Sequence, residues 1–257
     1  MRVTVCEMHN TLSGFEKDWE ALVRHVRSES SDLLLLPEMP FYPWLAQSRQ
    51  VRPELWAKSL AAHDKWIPRM FALGSVMVIS SRPVIRHGKR FNEGFVREAS
   101  GEYQPSHSKY YLPDDEGFWE ASWYERGDRD FSVLRTDLGN IGFLICTELW
   151  FSQHARQYAR QGAHLIVCPR ATQTASTDKW IAGGRTAAVV SGAFCLSSNF
   201  ISDDDHETDF GGTGWIIEPE NGTVLGLTSR EEPFLTLAID LKAAEQAKQT
   251  YPRDVSD

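Results

Sequence analysis

The stretch from Gly142 to Pro169 constrains the fold of this chain more than any other. It contains an apolar run from Ile141 to Ile145, a helical pattern from Phe151 to Gln161, and a second apolar run from His164 to Cys168. A strand, a helix and a strand in this order form a crossover unit, which joins two parallel strands and covers the sheet with a helix. The segment therefore predicts a layered α/β protein.

Other segments predict further strands and helices of such a sheet protein. Leu33 to Leu36 are unbroken leucines, which suit a strand buried on both faces, and this strand ends just before Glu38. Ser13 to Glu16 fit a capping box that opens a helix. Near the end of the chain, Asn221-Gly222 separates two strand patterns and indicates an antiparallel hairpin. With no repeat or linker in view, we expect residues 1–257 to form a single domain.

Composition and charge exclude several kinds of partner. Lysine and arginine number 27 against 35 acidic residues, a formal net charge of −8, whereas a nucleic-acid partner calls for a basic stripe. No apolar run approaches the roughly 20 residues of a membrane span. The four cysteines show no Cys-x-x-Cys pair, and the N-terminus has a strand pattern rather than a signal peptide. We therefore expect a cytoplasmic protein that binds neither nucleic acid nor membranes.

Three residues of very different charge, Glu38, Lys109 and Cys146, each follow a stretch that should be a buried strand. A thiol with its ordinary pKa near 8.5 is a poor nucleophile at neutral pH until a base takes its proton or a cation stabilises the thiolate. Glu38 can act as that base, and Lys109 can stabilise both the thiolate and an oxyanion on a substrate. Each residue alone has an ordinary explanation, as a core thiol, a surface carboxylate or a solvated lysine. The ordered trio predicts a nucleophilic site instead.

In these residues the sequence resembles the nitrilase superfamily of carbon–nitrogen hydrolases, whose signature is a Glu, a Lys and a Cys at strand ends. The matching pieces run over essentially the whole chain in the family's order: Leu-Pro-Glu38, His-Ser-Lys109 followed by Tyr-Leu-Pro113, Gly142-Phe-Leu-Ile-Cys146-Thr-Glu148, Gly162-Ala163 leading to Pro169, the helix with Arg185 and Ala187 leading to Asn199, and Gly211-Gly212. The chain departs from the family at Thr147, where an aromatic residue is common, and at Val190-Ser191, where a Glu-Asn pair is usual.

The resemblance implies a four-layer αββα sandwich that forms a homodimer or a larger homo-oligomer and needs no metal or cofactor. Glu38 would deprotonate Cys146, and Lys109 with the backbone N–H of Thr147 would form the oxyanion hole. Glu120, which precedes an aromatic stretch and a Gly-Asp pair, fits the place of the family's second glutamate. The chain is shorter than the spiral-forming nitrilases, and this favours the amidase branches.

Residues outside this site leave more than one interpretation open. Tyr42 and Trp119 could form an apolar wall for a substrate or pack at a subunit interface. Arg170 could bind a substrate carboxylate or lie on the surface. Cys6, Cys168 and Cys195 lie in strand patterns and are predicted to be inert core thiols. The acidic run Asp203 to His206 is interpreted as a solvated loop rather than a metal site.

We therefore expect a thiol amidohydrolase that acts on a small carboxamide or an N-carbamoyl compound through a thioester on Cys146. Three alternatives remain open at this point. The same thiol chemistry would convert a nitrile to an acid and ammonia through a thioimidate. It would also serve an acyltransferase that passes the thioester to an amine. A catalytically silent member of the family would serve as a binding or assembly module.

Overall fold

The computed structural model describes residues 1–202 and 208–255. In these residues the strands are β1 (Arg2–His9), β2 (Leu33–Leu35), β3 (Met77–Arg86), β4 (Lys89–Arg97), β5 (Tyr103–Ser108), β6 (Leu134–Thr136), β7 (Gly139–Phe143), β8 (Leu165–Pro169), β9 (Phe194–Ile201), β10 (Trp215–Ile217), β11 (Val224–Leu227) and β12 (Phe234–Ala238). The α-helices are α1 (Leu12–Ser28), α2 (Pro53–Arg69), α3 (Glu120–Trp123), α4 (Ser152–Arg160), α5 (Thr177–Ser191) and α6 (Lys242–Ala247). Short 3-10 helices cover Leu45–Gln47, Met70–Leu73, Cys146–Trp150 and Thr174–Ser176.

The strands pair in the order β5-β4-β3-β2-β1-β9-β8-β7-β6, with β12 on β1 and the β10–β11 hairpin on β9. From β3 to β7 all neighbours in this order are parallel, and antiparallel strands lie at both ends. Strand β1 joins two halves of the sheet, because Val3 pairs with Leu33 of β2 while Glu7, further along, pairs with Asn199 of β9. The carboxyl ends of strands from both halves therefore meet at one edge.

The two halves pack face to face, and helices cover their outer faces. On one side of β2, Leu33 and Leu35 belong to a core that also contains Phe143 and Leu196 from the other half. On the opposite side, Leu34 packs in a separate core with aromatic and aliphatic side chains of α1 and α2, namely Trp19, Leu22, Trp56 and Trp66. The leucine run is thus buried on both faces. The four-layer αββα architecture is confirmed.

The predicted crossover and hairpins are confirmed, and one helix start is corrected. Strands β7 and β8 are parallel neighbours connected through α4, and β10 and β11 pair antiparallel across the predicted turn. The capping box at Ser13 is wrong, because α1 begins at Leu12 and the side chain of Thr11 accepts the hydrogen bond from the Gly14 N–H at 3.2 Å. Among the described residues, no helix is long and apolar enough to cross a membrane.

The two-sided burial of β2 predicts a specific pattern of mutational cost. Leu34 and Leu35 are both fully buried but lie in different cores, so Leu34→Ala and Leu35→Ala should each lower the free energy of unfolding by about 2–5 kcal/mol. The matched control Leu225→Ala removes a side chain that is 44% exposed and should cost less than about 0.5 kcal/mol. Urea denaturation measures all three. A large cost for one β2 variant alone would contradict burial on both faces.

Candidate active site

Glu38, Lys109 and Cys146 converge at the carboxyl edge of the sheet. Glu38 lies three residues after the end of β2, Lys109 follows β5 directly, and Cys146 lies three residues after the end of β7. Their exposed fractions are 0%, 1% and 3%, respectively. Parallel strands from both halves of the sheet end here, so residues far apart in sequence come together in a site screened from water.

The Lys109 ammonium lies between two buried carboxylates. Its Nζ donates to Oε1 of Glu38 at 2.7 Å and to Oε1 of Glu120 at 2.8 Å. The other oxygen of Glu120 is 2.7 Å from the same Nζ. Glu120 is the first residue of helix α3 and is fully buried. The structure therefore groups Glu120 with the predicted trio.

Burial and mutual charge set the proton affinities of these groups. Burial raises the pKa of the Glu38 carboxyl to about 7, because Lys109 offsets only part of the desolvation and Glu120 adds a like charge. Burial also raises the pKa of Glu120, against the opposing effect of Lys109. For Lys109 itself burial would lower the pKa, but the attraction of Glu120 and Glu38 outweighs it and raises the pKa well above its ordinary value. The lysine is a permanent cation at neutral pH.

Cys146 is the first residue of a short 3-10 helix and has a backbone φ of +49°. That left-handed conformation costs a residue other than glycine on the order of 1–3 kcal/mol and is kept only where surrounding contacts enforce it. Burial and the charge of Glu38 raise the pKa of the thiol to about 12, although Lys109 opposes them. The resting sulfur therefore holds its proton and needs a base. The Cys146 Sγ lies 3.9 Å from the Ala171 carbonyl oxygen, and the Glu38 carboxylate, which interacts with the thiol, can act as that base.

Asn92 is a site residue that the sequence did not reveal. It lies on β4, is fully buried, and its Nδ2 donates to Oε1 of Glu38 at 2.7 Å. Its backbone carbonyl accepts the N–H of Lys109 at 2.9 Å. Oε1 of Glu38 is thus shared by an amide and an ammonium. Within the described part of the chain, Oε2 of the same carboxylate is buried and has no hydrogen-bond partner.

Tyr124 is a second residue that sequence reasoning missed. It is 4% exposed, and its ring packs against Trp56 at a centroid distance of 5.9 Å. Its phenol interacts with the Glu120 carboxylate and helps to offset the burial of that charge. Burial, followed by the charge of Glu120, raises the pKa of the phenol well above its ordinary value, so Tyr124 stays neutral; among the described residues its hydroxyl has no hydrogen-bond partner. Tyr124 lies in the aromatic stretch that the sequence showed after Glu120, but nothing in the pattern singled it out.

The predicted substrate-binding aromatics, Tyr42 and Trp119, lie close to Glu38 and Glu120 in the sequence. Tyr42 and Trp119 are both partly buried against the core that contains α1 and α2. Trp119 immediately precedes Glu120, and the backbone N–H of Trp119 donates to the Ala46 carbonyl at 2.7 Å. The guanidinium carbon of Arg49 lies 4.7 Å from the centroid of the Trp119 ring. Their contact with substrate stays a prediction.

The structure corrects one interpretation of Arg170: the side chain is 1% exposed, so the alternative that it lies on the surface is wrong. Its guanidinium donates to the hydroxyls of Ser197 and Thr172 at 2.7 and 2.5 Å, and to the carbonyls of Gly212 and Thr213 at 3.3 and 2.6 Å. It also lies 4.1 Å from the Trp215 ring centroid. All three guanidinium nitrogens are engaged with the protein. We interpret Arg170 as a residue that joins β8, β9 and the loop before β10.

The remaining sequence predictions concern cysteines, metals and the oxyanion donor. Cys6, Cys168 and Cys195 are fully buried in strands β1, β8 and β9, and burial raises the pKa of each thiol. Residues 1–202 and 208–255 contain no cluster of three potential metal ligands. The run Asp203 to His206 lies outside the described residues. Thr147 is the second residue of the 3-10 helix that Cys146 opens, where a backbone N–H has no partner inside the helix.

The chain is similar in sequence to proteins named as amidases. An Arabidopsis thaliana protein named N-carbamoylputrescine amidase is 26% identical over 252 residues, which cover 90% of this chain and 83% of the relative. The mouse protein named omega-amidase NIT2 is 26% identical over 239 residues, covering 90% of this chain and 85% of the relative.

Solved structures show the same fold. A carbon–nitrogen hydrolase from Helicobacter pylori G27 aligns with a TM-score of 0.86 at 21% identity, covering 98% of this chain and 94% of that one. An amidase from Nesterenkonia sp. aligns with a TM-score of 0.78 at 20% identity, covering 95% and 92%. The sequence model of the family described as Carbon-nitrogen hydrolase matches residues 2–249, so this chain belongs to the carbon–nitrogen hydrolase, or nitrilase, superfamily.

Proposed function

We propose that this protein hydrolyses a small carboxamide or N-carbamoyl compound through a covalent thioester on Cys146. One observation carries the proposal: a buried lysine held at 2.7 and 2.8 Å by two glutamates, with a buried cysteine on a strained turn in electrostatic interaction with both the lysine and Glu38. Water-excluded charges of this kind are expensive to bury and cluster where chemistry needs them. The amidase names of the relatives support an amide substrate over a nitrile.

In the first step Glu38 takes the thiol proton as the sulfur attacks the carbonyl carbon. With a pKa of about 7, the carboxylate is partly ionised at neutral pH and is matched to proton transfer in both directions. A carbon–sulfur bond forms, the carbonyl π electrons move to oxygen, and the oxyanion is stabilised by the Lys109 ammonium and the Thr147 N–H. Because Glu38 and Glu120 already hold the Lys109 ammonium, little reorganisation of this donor is needed during the reaction.

In the second step the tetrahedral intermediate collapses to a thioester. The carbon–nitrogen bond breaks, and Glu38 returns its proton to the leaving nitrogen, which departs as ammonia or an amine. Water then attacks the thioester while Glu38 again accepts a proton, and the acid is released as the thiol is reprotonated. Glu120 contributes by holding the Lys109 ammonium in one position throughout the cycle.

Replacing the nucleophile is the direct test of the proposal. Cys146→Ala should lower ammonia release from a panel of amides, N-carbamoyl compounds and nitriles at least about 10⁴-fold, because the residual binding site cannot form the thioester. Circular dichroism should remain that of the wild type. The matched control Cys195→Ala, a buried thiol elsewhere in the sheet, should retain activity.

The same panel separates the other interpretations of the site. Mass spectrometry of the wild type should detect an acyl adduct on Cys146, and added hydroxylamine would reveal acyl transfer. Turnover of nitriles alone would identify a nitrilase. A wild type without turnover, in which Cys146 is as unreactive as Cys195, would contradict the proposal and support a silent binding module.

The pH dependence of activity should follow the ionisation of Glu38. The base works only when deprotonated, and its pKa is raised to about 7, so kcat/KM should fall as the pH drops through that value. The expected acid limb has a slope of one in a logarithmic plot with its midpoint near neutrality. Rates of amide hydrolysis between about pH 5 and 9 measure it. A flat profile over this range would contradict the assignment of Glu38 as the base.

Asn92 should influence the midpoint of that acid limb, because its side-chain amide donates a hydrogen bond to the Glu38 carboxylate at 2.7 Å. Asn92→Asp places a second negative charge beside Glu38, which favours protonation of Glu38 and should move the midpoint of the acid limb to higher pH. Asn92→Ser removes the amide without adding charge and should lower kcat with a smaller shift of the midpoint. An unchanged pH profile in Asn92→Asp would show that the hydrogen bond does not influence the base.

A further inference from the structure

A second buried ion pair lies behind the proposed site, between His107 and Glu148. The side chains are 1% and 0% exposed, and Nε2 of the histidine lies 2.8 Å from each oxygen of the carboxylate. Neither residue takes part in the chemical steps described above. Buried charge of this kind seldom adds net stability over an apolar pair, so its placement calls for a reason.

The carboxylate of Glu148 connects the two segments that carry the reacting groups. Oε1 accepts the backbone N–H of Tyr110 at 2.7 Å, and Tyr110 directly follows Lys109. Oε2 accepts the backbone N–H of Ile145 at 2.9 Å, and Ile145 directly precedes Cys146. The Glu148 N–H in turn donates to the Ile145 carbonyl at 3.2 Å, which closes the turn around the cysteine. One side chain thus fixes the backbone next to both Lys109 and Cys146.

His107 holds this carboxylate in place. Its Nδ1 lies 2.8 Å from the Asp130 carbonyl, and its Nε2 lies against Glu148. A carbonyl and a carboxylate are both acceptors, so both ring nitrogens must carry protons and the ring is an imidazolium. The ring also packs against Phe131 at a centroid distance of 4.5 Å. Burial opposes the charge on His107, but Glu148, the Asp130 carbonyl and Asp128 outweigh it and raise the pKa of the imidazole.

We propose that His107 and Glu148 are a positioning pair, which holds the Lys109 ammonium and the Cys146 sulfur at the separation that the thioester chemistry needs. This inference rests on the proposed function for its kinetic consequence. Cys146 has a strained φ of +49°, and a residue in that conformation keeps it only where the surrounding contacts enforce it. The hydrogen bonds of Glu148 are such contacts. A displacement of about 1 Å of a reacting group can cost on the order of 10²-fold in rate.

The test replaces the ion pair by two neutral amides of similar size. In His107→Gln/Glu148→Gln no buried charge is left unpaired, which is the reason for preferring the double variant to either single one. We expect kcat for the amide substrate to fall about 10- to 100-fold, with KM changed less than about threefold. The rate of Cys146 alkylation by iodoacetamide, followed by peptide mass spectrometry, should fall in parallel.

His154→Gln is the matched control. His154 is 5% exposed and stacks on Phe131, the ring that also packs against His107, at a centroid distance of 3.5 Å. Within the described residues no hydrogen bond joins His154 to Glu148, and the two interact only through their charges. It should retain kcat and alkylation rate. A folded double variant with wild-type kcat and alkylation rate would overturn the positioning role.

The alkylation measurement keeps this inference separate from the proposed function. If the wild type turns over no amide, the proposed function fails, yet slower alkylation in the double variant than in the control still supports the pair. A measurement on the wild type requires no variant: ¹⁵N NMR of the labelled imidazole should show both nitrogens of His107 protonated at about pH 7. A neutral ring at that pH would overturn the proposal whether or not the double variant folds.

Discussion

The Lys109 ammonium, enclosed by Glu38 and Glu120, is the interaction on which the rest of the structure depends. Its Nζ lies 2.7 Å from one carboxylate and 2.8 Å from the other, with all three side chains removed from water. In such surroundings an unpaired charge costs several kcal/mol, so none of the three can be removed without penalty. Two carboxylates against one cation leave an excess negative charge. Burial, with this excess charge as a smaller contribution, raises the pKa of Glu38, the group that accepts and returns protons in the proposed mechanism.

The fold positions these charges through the path of β1. Because the first half of β1 pairs with β2 and its second half pairs with β9, the two halves of the sheet share one carboxyl edge. Glu38 arrives at this edge from one half, and Cys146 from the other. The double burial of Leu33 to Leu35 fixes the strand before Glu38 against two cores. Packing on both sides of β2 is thereby coupled to the placement of the base.

Sequence patterns predicted what depends on local order along the chain. Glu38 and Cys146 each follow a strand that its apolar pattern makes visible, whereas the strand before Lys109 is mostly polar, and the family motifs located Lys109 and Glu120. Asn92 could not be found in this way, because its role depends on where β4 lies beside β3 and β5, and a polar residue in an edge region of a sheet is unremarkable by itself. The burial of Arg170 depends on hydroxyls and carbonyls contributed by distant segments. At the start of α1, Thr11 and Ser13 were both suitable caps, and only the tertiary path of the chain decides between them.

The pKa values of Cys146 and Glu38 explain how the thiol can be protected from oxidation at rest and still react with a substrate. With the thiol pKa raised to about 12 and that of Glu38 raised to about 7, the proton stays on sulfur at rest. A buried, protonated thiol is a poor target for oxidation. Transfer to Glu38 becomes favourable only when negative charge can move from sulfur to a substrate oxygen beside Lys109. In the proposed mechanism the same ammonium that holds the two carboxylates also stabilises the oxyanion, so nucleophile formation and attack would be coupled through one cation.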